Sequence, residues 1–308
     1  MRILNKVYKR LTRSRWELGL IRDGLDGVFS RNDLVVDWIT NPFRDRWFAD
    51  PFILDVTEKF ILILAEEVRF SNPIGRIAKL FINRETLIIE RFSILLEKPT
   101  HLSFPCILRK DGRVYVYPES AASGHLDMYE YDSTNERLVF HQTLCEDVVW
   151  DSVITDYWGE ELLFTANKND HYLDIYKRSS ESALFVPYQT IHSPNKNCRM
   201  AGQLFKYHEQ FFCPQQDCER VYGGSVDINQ VIRTENGFSF IHAKKLCSPH
   251  PKLKEAFHTL NEYKGFVVID VQGFDYPFVI KAIRRFSQSL HNCSCTLRKY
   301  SKTFTKSK

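Results

Sequence analysis

No apolar run in this chain approaches the roughly 18 residues that a membrane-crossing helix needs. The N-terminal residues have neither a continuous apolar stretch nor a small-residue cleavage site. A secretory signal is therefore not expected, and the expected location is the cytoplasm. Glycine-rich phosphate and dinucleotide loops are missing, as are HExxH and GxSxG. The nucleotide-binding, zincin and α/β-hydrolase readings lose their usual signatures. The eight cysteines include no paired CxxC, so a structural zinc site is not expected, and reduced thiols, several of them buried, are. Thirteen glycines and twelve prolines in 308 residues are too few for a collagen or a low-complexity linker. A net charge of +4 is too small to imply a nucleic-acid partner.

Aromatic residues are plentiful at 14%. Strands favour aromatic and β-branched residues, so the composition leans all-β. Five segments then share one shape, a polar start, a strand, a tight polar turn and a second strand with a polar end. They are Phe48–Val68, His101–Ser120, Trp150–Lys168, Arg199–Asp217 and His258–Gln272. Their turns are TE, DG, WG, HE and KG, which read as hairpins. The spacing of about 50 residues is that of a four-stranded propeller blade. Leu126–Tyr131, Leu138–Gln142, Tyr172–Lys177 and Ser225–Val231 fit third and fourth strands. Little strand-like sequence follows Gln272, whereas Trp16–Arg22 and Leu34–Trp38 precede the first repeat. These N-terminal strands are expected to complete the last blade and remove the exposed edges. The expected fold is all-β, a five-bladed β-propeller over residues 16–273 with a short basic helical extension over 274–308. A β-sandwich with accidental periodicity is the competing architecture.

Charge is unevenly placed. The first fifteen residues hold six Lys/Arg and no acid, and Lys281–Lys308 holds eight and no acid. Phe278–Leu290 carries apolar residues at helical spacing with Lys281, Arg284 and Arg285 between them, the pattern of a basic amphipathic helix. Basic ends suit solvated tails or peripheral contact with an anionic membrane.

The two strands of each hairpin are antiparallel, so the start of the first and the end of the second share one end of the blade. Polar residues gather there: Asp50, Glu66 and Glu67; His101, Ser103 and Glu119; Asp151, Asn167 and Lys168; Arg199, Gln216, Asp217 and Arg220; His258 and Asp270. In a propeller they form one mostly acidic cup suited to a sugar, with Trp47, Trp150, Trp158 and Tyr222 available to stack on pyranose faces. Two carboxylates across such a cup are the acid–base pair of glycosidic-bond chemistry. Asp50, Asp151 and Glu119 are the candidate catalytic residues. Glu67, His101, Ser103, Arg199, Gln216, Asp217, Arg220, Tyr222 and His258 are the candidate substrate-binding residues. Pro51 is expected to hold Asp50 extended. The sequence calls for no cofactor and no metal.

The ordered motifs WFADPFI, HLSFP with YPES, WDSV, RMAG with CPQQDCERVYGG, and HTLN resemble one family, from about Trp16 to Gln272. It is the propeller-type N-terminal domain of plant glucosamine inositolphosphorylceramide transferases, which also occurs in bacterial polysaccharide-synthesis loci. More distantly the chain is similar to five-bladed arabinanases, β-xylosidases and invertase-like enzymes. That resemblance implies a first-blade Asp as base or nucleophile, matched by Asp50, and a third-blade Asp as modulator, matched by Asp151. The chain departs from it in the fourth blade, where Arg199-Met-Ala-Gly202 replaces the acid. An Arg there implies an anionic sugar or phosphate. A counterpart of the separate transferase domain of the plant proteins is not expected within these 308 residues. The resemblance thus implies a sugar or glycolipid ligand in cell-surface polysaccharide or glycolipid assembly. It allows either glycosyl transfer or hydrolysis with Asp50 as base, or a non-catalytic glycan-binding module serving a partner glycosyltransferase.

Overall fold

The structure is a computed structural model that describes residues 11–167, 172–193, 199–276, 278–280 and 282. The chain divides into two compact units, Trp16–Gln272 and a second drawn from residues 1–15 and 273–308. In the second, Asp275 pairs with Arg13 at 3.3 Å and with Arg15 at 3.6 Å. Most of the expected basic helix over Phe278–Leu290, and the tail after it, lie outside the described residues.

The first unit is a five-bladed propeller of antiparallel four-stranded sheets. Blade one is Arg46–Val56, Phe60–Arg69, Asn72–Asn83 and Ile89–Leu96. Blade two is Ser103–Lys110, Arg113–Glu119, Leu126–Asp132 and Arg137–Cys145. Blade three is Val153–Thr155, Leu162–Ala166, Tyr172–Lys177 and Val186–His192. Blade four begins with a broken inner strand, Arg199–Met200 and Phe205–Tyr207, and continues with Gln210–Asp217, Ser225–Thr234 and Gly237–Leu246. Blade five takes Ala256–Tyr263 and Phe266–Phe274 from late in the chain and Ser14–Ile21 and Asp37–Trp38 from its beginning. The closure read from the sequence is therefore present, although the outermost strand is shorter than expected. A helix not foreseen in the sequence, Gly24–Phe29, lies between the two N-terminal strands.

Large side chains fill the spaces between blades. Phe52, Phe104, Tyr117 and Phe164 are almost wholly buried in one continuous cluster. The Tyr117 hydroxyl accepts the Ile154 backbone N–H at 2.9 Å and so ties blade two to blade three. Cys106, Cys145 and Cys213 are buried free thiols. Trp158, expected as a sugar-stacking ring, instead packs on Phe164, Phe211 and Phe238 with centroids 4.9–6.3 Å apart. It stands at a hairpin turn, the opposite end of the blade from the polar strand ends.

Three hairpins turn with positive φ at both central residues: Asp111–Gly112, His208–Glu209 and Lys264–Gly265. That is the backbone of the tight hairpin whose twist matches its strands. Blades four and five meet closely at Gly202. A Cβ there would lie 2.0 Å from the Leu260 carbonyl oxygen. The break in the inner strand of blade four surrounds this glycine, and Ala201 O accepts from Leu260 N at 2.8 Å across the junction.

Candidate functional site

Blades one to three each carry a residue at positive φ near their polar end: Asp50 (51°) and Phe104 (44°) within the inner strands of blades one and two, and Asp151 (46°) two residues before that of blade three. The ladder shifts register between Ala49 and Phe52 and between Ser103 and Cys106. A bulge of this kind re-aims a side chain. Asp tolerates the left-handed region, whereas a bulky Phe is strained in it. Asp50 is therefore not extended as Pro51 led us to expect; the bulge outweighs the proline's preference. Asp50 and Phe104 hold each other, with Phe104 N–H donating to Asp50 Oδ2 at 3.0 Å.

Around these bulges one hydrogen-bonded network crosses all five blades. Asp50 N–H donates to Asp270 Oδ2 at 2.9 Å, and Thr259 N–H donates to Asp270 Oδ1 at 2.8 Å. His258 Nδ1 lies 3.0 Å from Asp50 Oδ1 and 3.2 Å from Asp270 Oδ2. Only the contact with Asp270 is aligned as a hydrogen bond, and Asp50 Oδ1 is buried without such a partner. His258 Nε2 lies 3.0 Å from the Tyr222 hydroxyl, which also accepts from Arg199 Nη1 at 3.3 Å. Arg199 Nε pairs with Asp151 Oδ2 at 2.7 Å, and Nη2 reaches Glu119 Oε2 at 3.4 Å. Gln216 Nε2 donates to Asp151 Oδ2 at 3.3 Å and to Met200 O at 2.8 Å. Ser103 Oγ donates to Glu119 Oε2 at 3.3 Å. His101 Nε2 lies 2.9 Å from Glu66 Oε1, and Gly75 N–H donates to His101 Nδ1 at 2.9 Å. The Gly75 bond leaves Nε2 as the protonated nitrogen of a neutral ring, even though the bond to Glu66 pulls His101 upward.

Carboxylates outnumber cations here, and burial makes them costly. Burial pushes Glu66 up to about 7, opposed by His101 and assisted by Asp50. Burial pushes Asp151 up to about 7 against the pull of Arg199. For His258 burial acts downward, but Tyr222, Asp270 and Asp50 together hold it well above its ordinary value. Burial also lowers Arg199, and its acidic surroundings more than reverse that. Arg199 is thus already neutralised by Asp151 and Glu119. The expectation that it recruits an anionic sugar or phosphate is not supported by this geometry.

Of the sequence candidates, Asp50, Asp151, Glu119, His101, Ser103, Arg199, Gln216, Tyr222 and His258 lie in or against this network. Three stand elsewhere. Glu67 is fully buried, yet it is clamped by Arg46 at 2.8 Å and by Arg76 at 2.8 Å. It stands opposite Arg76 in the ladder, and alternation turns its neighbour Glu66 to the other face. Asp217 pairs with Lys245 at 2.6 Å and caps the turn at Glu219. Arg220 is exposed on the loop that follows. Glu66 and Asp270, polar strand ends left out of the candidate set, are the carboxylates that occupy the centre. Trp16 was missed altogether; it comes from the closing strand and packs 4.8 Å from the His258 ring. Trp150 lines a separate cavity of about 520 Å³ with Asp147, Asn167 and Asp174.

Asp50, His258 and Asp270 place three ligand-type atoms within 4.8 Å of one another. A metal here would compete with hydrogen bonds already in place: Nδ1 bonds to Asp270 Oδ2, and both Asp270 oxygens accept backbone N–H groups.

Comparison with known proteins agrees with this fold. The family described as "Glucosamine inositolphosphorylceramide transferase 1, N-terminal" matches residues 37–273. Glucosamine inositolphosphorylceramide transferase 1 of Arabidopsis thaliana is 26% identical over 153 residues, 46% of this chain and 20% of that protein. Its namesake in Oryza sativa subsp. japonica is 23% identical over 199 residues, 61% of this chain and 27% of that protein. The chain thus aligns with only about a fifth to a quarter of these relatives' length. Among solved structures, a GH43_1 enzyme from Xanthomonas citri complexed with xylose superimposes with a TM-score of 0.53 at 10% identity, covering 74% of this chain and 86% of that one. A GH43 β-xylosidase/α-arabinofuranosidase from a compost metagenome does so with a TM-score of 0.51 at 14% identity, covering 71% and 83%. At these identities the likeness is one of fold. No helix among the described residues is long and apolar enough to cross a membrane.

Proposed function

Because this chain belongs to the family of the N-terminal domain of glucosamine inositolphosphorylceramide transferase 1, we propose that its propeller is carbohydrate-active. The cup receives the sugar of a carbohydrate or glycolipid intermediate in cell-surface polysaccharide or glycolipid assembly. One observation carries this reading: all five blades converge on one polar network with more carboxylates than cations. Carboxylates and amides accept and orient sugar hydroxyls, and such a surplus of negative charge favours a neutral or cationic sugar over an anionic one. In this reading Asp50 is the base of a glycosyl transfer or hydrolysis, since its Oδ1 alone among the cup's carboxylate oxygens is buried without a hydrogen-bond donor. The setting is cytoplasmic, with the basic ends available to an anionic membrane.

A second reading rests on Arg199. It fills the position where an acid is expected and is locked to Asp151 and Glu119, which suits a non-catalytic glycan-binding module serving a partner glycosyltransferase.

The test is incubation with activated-sugar donors and with lipid-linked and oligosaccharide acceptors, alongside Asp50→Asn and Asp151→Asn. Turnover lost in both variants supports catalysis. Glycan binding with no turnover under any condition supports the second reading, and absence of both binding and turnover removes the carbohydrate assignment.

A further inference from the structure

Tyr222 stands where the buried half of the network meets the cup. Its ring is about half exposed, whereas its hydroxyl is held by His258 Nε2 and Arg199 Nη1. His258 is only 4% exposed. One face of its ring packs toward Trp16, 4.8 Å between centroids, and Tyr222 lies at 5.1 Å. Nδ1 is hydrogen-bonded to Asp270, so Nε2 is the nitrogen left to act outward, and it meets the phenol oxygen. The local backbone is built for this approach. Gly223 has φ of +58°, and a Cβ there would lie 2.7 Å from His258 Cδ2. Only a glycine lets the rim loop set the tyrosine against the imidazole.

The donors fix the direction of the hydrogen bonds. A guanidinium has no acceptor, so Arg199 donates to the phenol oxygen. When His258 carries both ring protons, Nε2–H donates to the same oxygen. The oxygen then accepts from two cations, and its own hydrogen is turned toward the cup. Burial keeps the phenol itself protonated, the state a donor requires.

We propose that Tyr222 is a catalytic residue that relays a proton from His258 to the departing oxygen of a glycoside bound in the cup. The inference rests on the carbohydrate reading above. In the step, the bond from the sugar carbon to the leaving oxygen breaks and its electron pair goes to that oxygen. The leaving oxygen takes the Tyr222 hydroxyl proton. The Tyr222 oxygen takes the Nε2 proton of His258, which becomes a neutral imidazole still donating through Nδ1. Water or an acceptor hydroxyl, deprotonated by Asp50, completes the carbon. This assigns the acid role to a tyrosine–histidine pair, because Arg199 has no proton to give at any working pH.

Tyr222→Phe tests it, since it removes the hydroxyl and keeps the ring. Nitrogen NMR of the imidazole rings, with His258→Gln to identify the signal, is expected to show a shifted Nε2 resonance in Tyr222→Phe. An unmoved resonance overturns the relay, whatever the activity. Methyl and dinitrophenyl glycosides of common hexoses and pentoses then separate acid catalysis from a structural role. Tyr222→Phe is expected to lose about 100-fold or more on methyl glycosides and less than about 10-fold on dinitrophenyl glycosides, whose leaving group departs without a proton. Calorimetric affinity for the same methyl glycosides is expected to stay within about 3-fold of the parent protein. Equal losses on both classes, or none, overturn the relay. Glycoside binding without turnover of either class overturns the relay and leaves the carbohydrate cup standing. Absence of glycoside binding overturns the cup reading itself.

Discussion

The two ends of the blades use the same residue types to opposite effect. At the turn end several carboxylates are closely paired with cations. Asp55 pairs with Lys264 at 2.6 Å, and Glu161 pairs with Arg178 at 2.6 Å and with Lys110 at 2.9 Å. Both carboxyls are held below their ordinary range; the Lys264 bond dominates for Asp55, and for Glu161 its cations overcome burial. At the cup end Asp50, Glu119, Asp151 and Asp270 share Arg199 and His258, Glu66 has only His101 among the described residues, and burial drives Glu66 and Asp151 upward instead. The difference lies in how many cations accompany the acids. A fold seeking stability alone would pair them as the turn end does. Uncompensated buried charge is what a ligand site retains.

Substitutions sharpen this contrast. The largest effect is expected at Gly202. An alanine Cβ would collide with the Leu260 carbonyl at 2.0 Å, so Gly202→Ala should lose about 4 kcal/mol in denaturant titration. Gly112, at the turn end, has nothing within 4 Å of a Cβ, and Gly112→Ala should lose only about 1 kcal/mol for its positive φ. An equal loss at both glycines would break the contrast.

Arg199→Met leaves Asp151 and Glu119 buried without their cation and should cost about 3 kcal/mol in the same titration. A loss under about 1 kcal/mol would show that the cup tolerates bare carboxylates.

Glu66 gives a pH signature of defined sign. Its folded value of about 7 lies above the unfolded one, so the folded state binds the proton more tightly. Its contribution is fully present below about pH 4.5 and is lost as pH rises through 7. Glu66→Gln should therefore remove up to about 3 kcal/mol of downward slope between those pH values. Parallel curves for the two proteins would show that Glu66 is not raised.

The smallest effect belongs to the exposed pair at the turn end. Lys264→Met should leave the melting temperature unchanged within error at high salt.

Most of the ring was legible in the sequence because hairpin turns and alternating strands are local patterns. DG and KG announce left-handed turns directly, and matched spacing did the rest. The cup was legible to the level of strand ends. Beyond that, bulges decide parity, and bulges leave little trace in a single sequence. Glu67 was preferred to Glu66 because two adjacent acids at a strand end look alike until the ladder sets Glu67 opposite Arg76. Asp217 ends its strand and Arg220 lies just past it, where the chain turns outward. Trp16 reaches His258 only through ring closure, a contact between residues 242 positions apart that no local pattern encodes.

That closing strand gives assembly an order. Blade five cannot form until Phe266–Phe274 exists to receive Ser14–Ile21, so the earliest-made strand waits longest for its partner. Loop closure over such a separation is slow relative to hairpin formation. Blades one to four can each mature from neighbouring sequence, and the cup is the last feature to appear. His258 meets Trp16 only when the clasp has shut, so the polar network of the cup is completed by the same event that closes the ring.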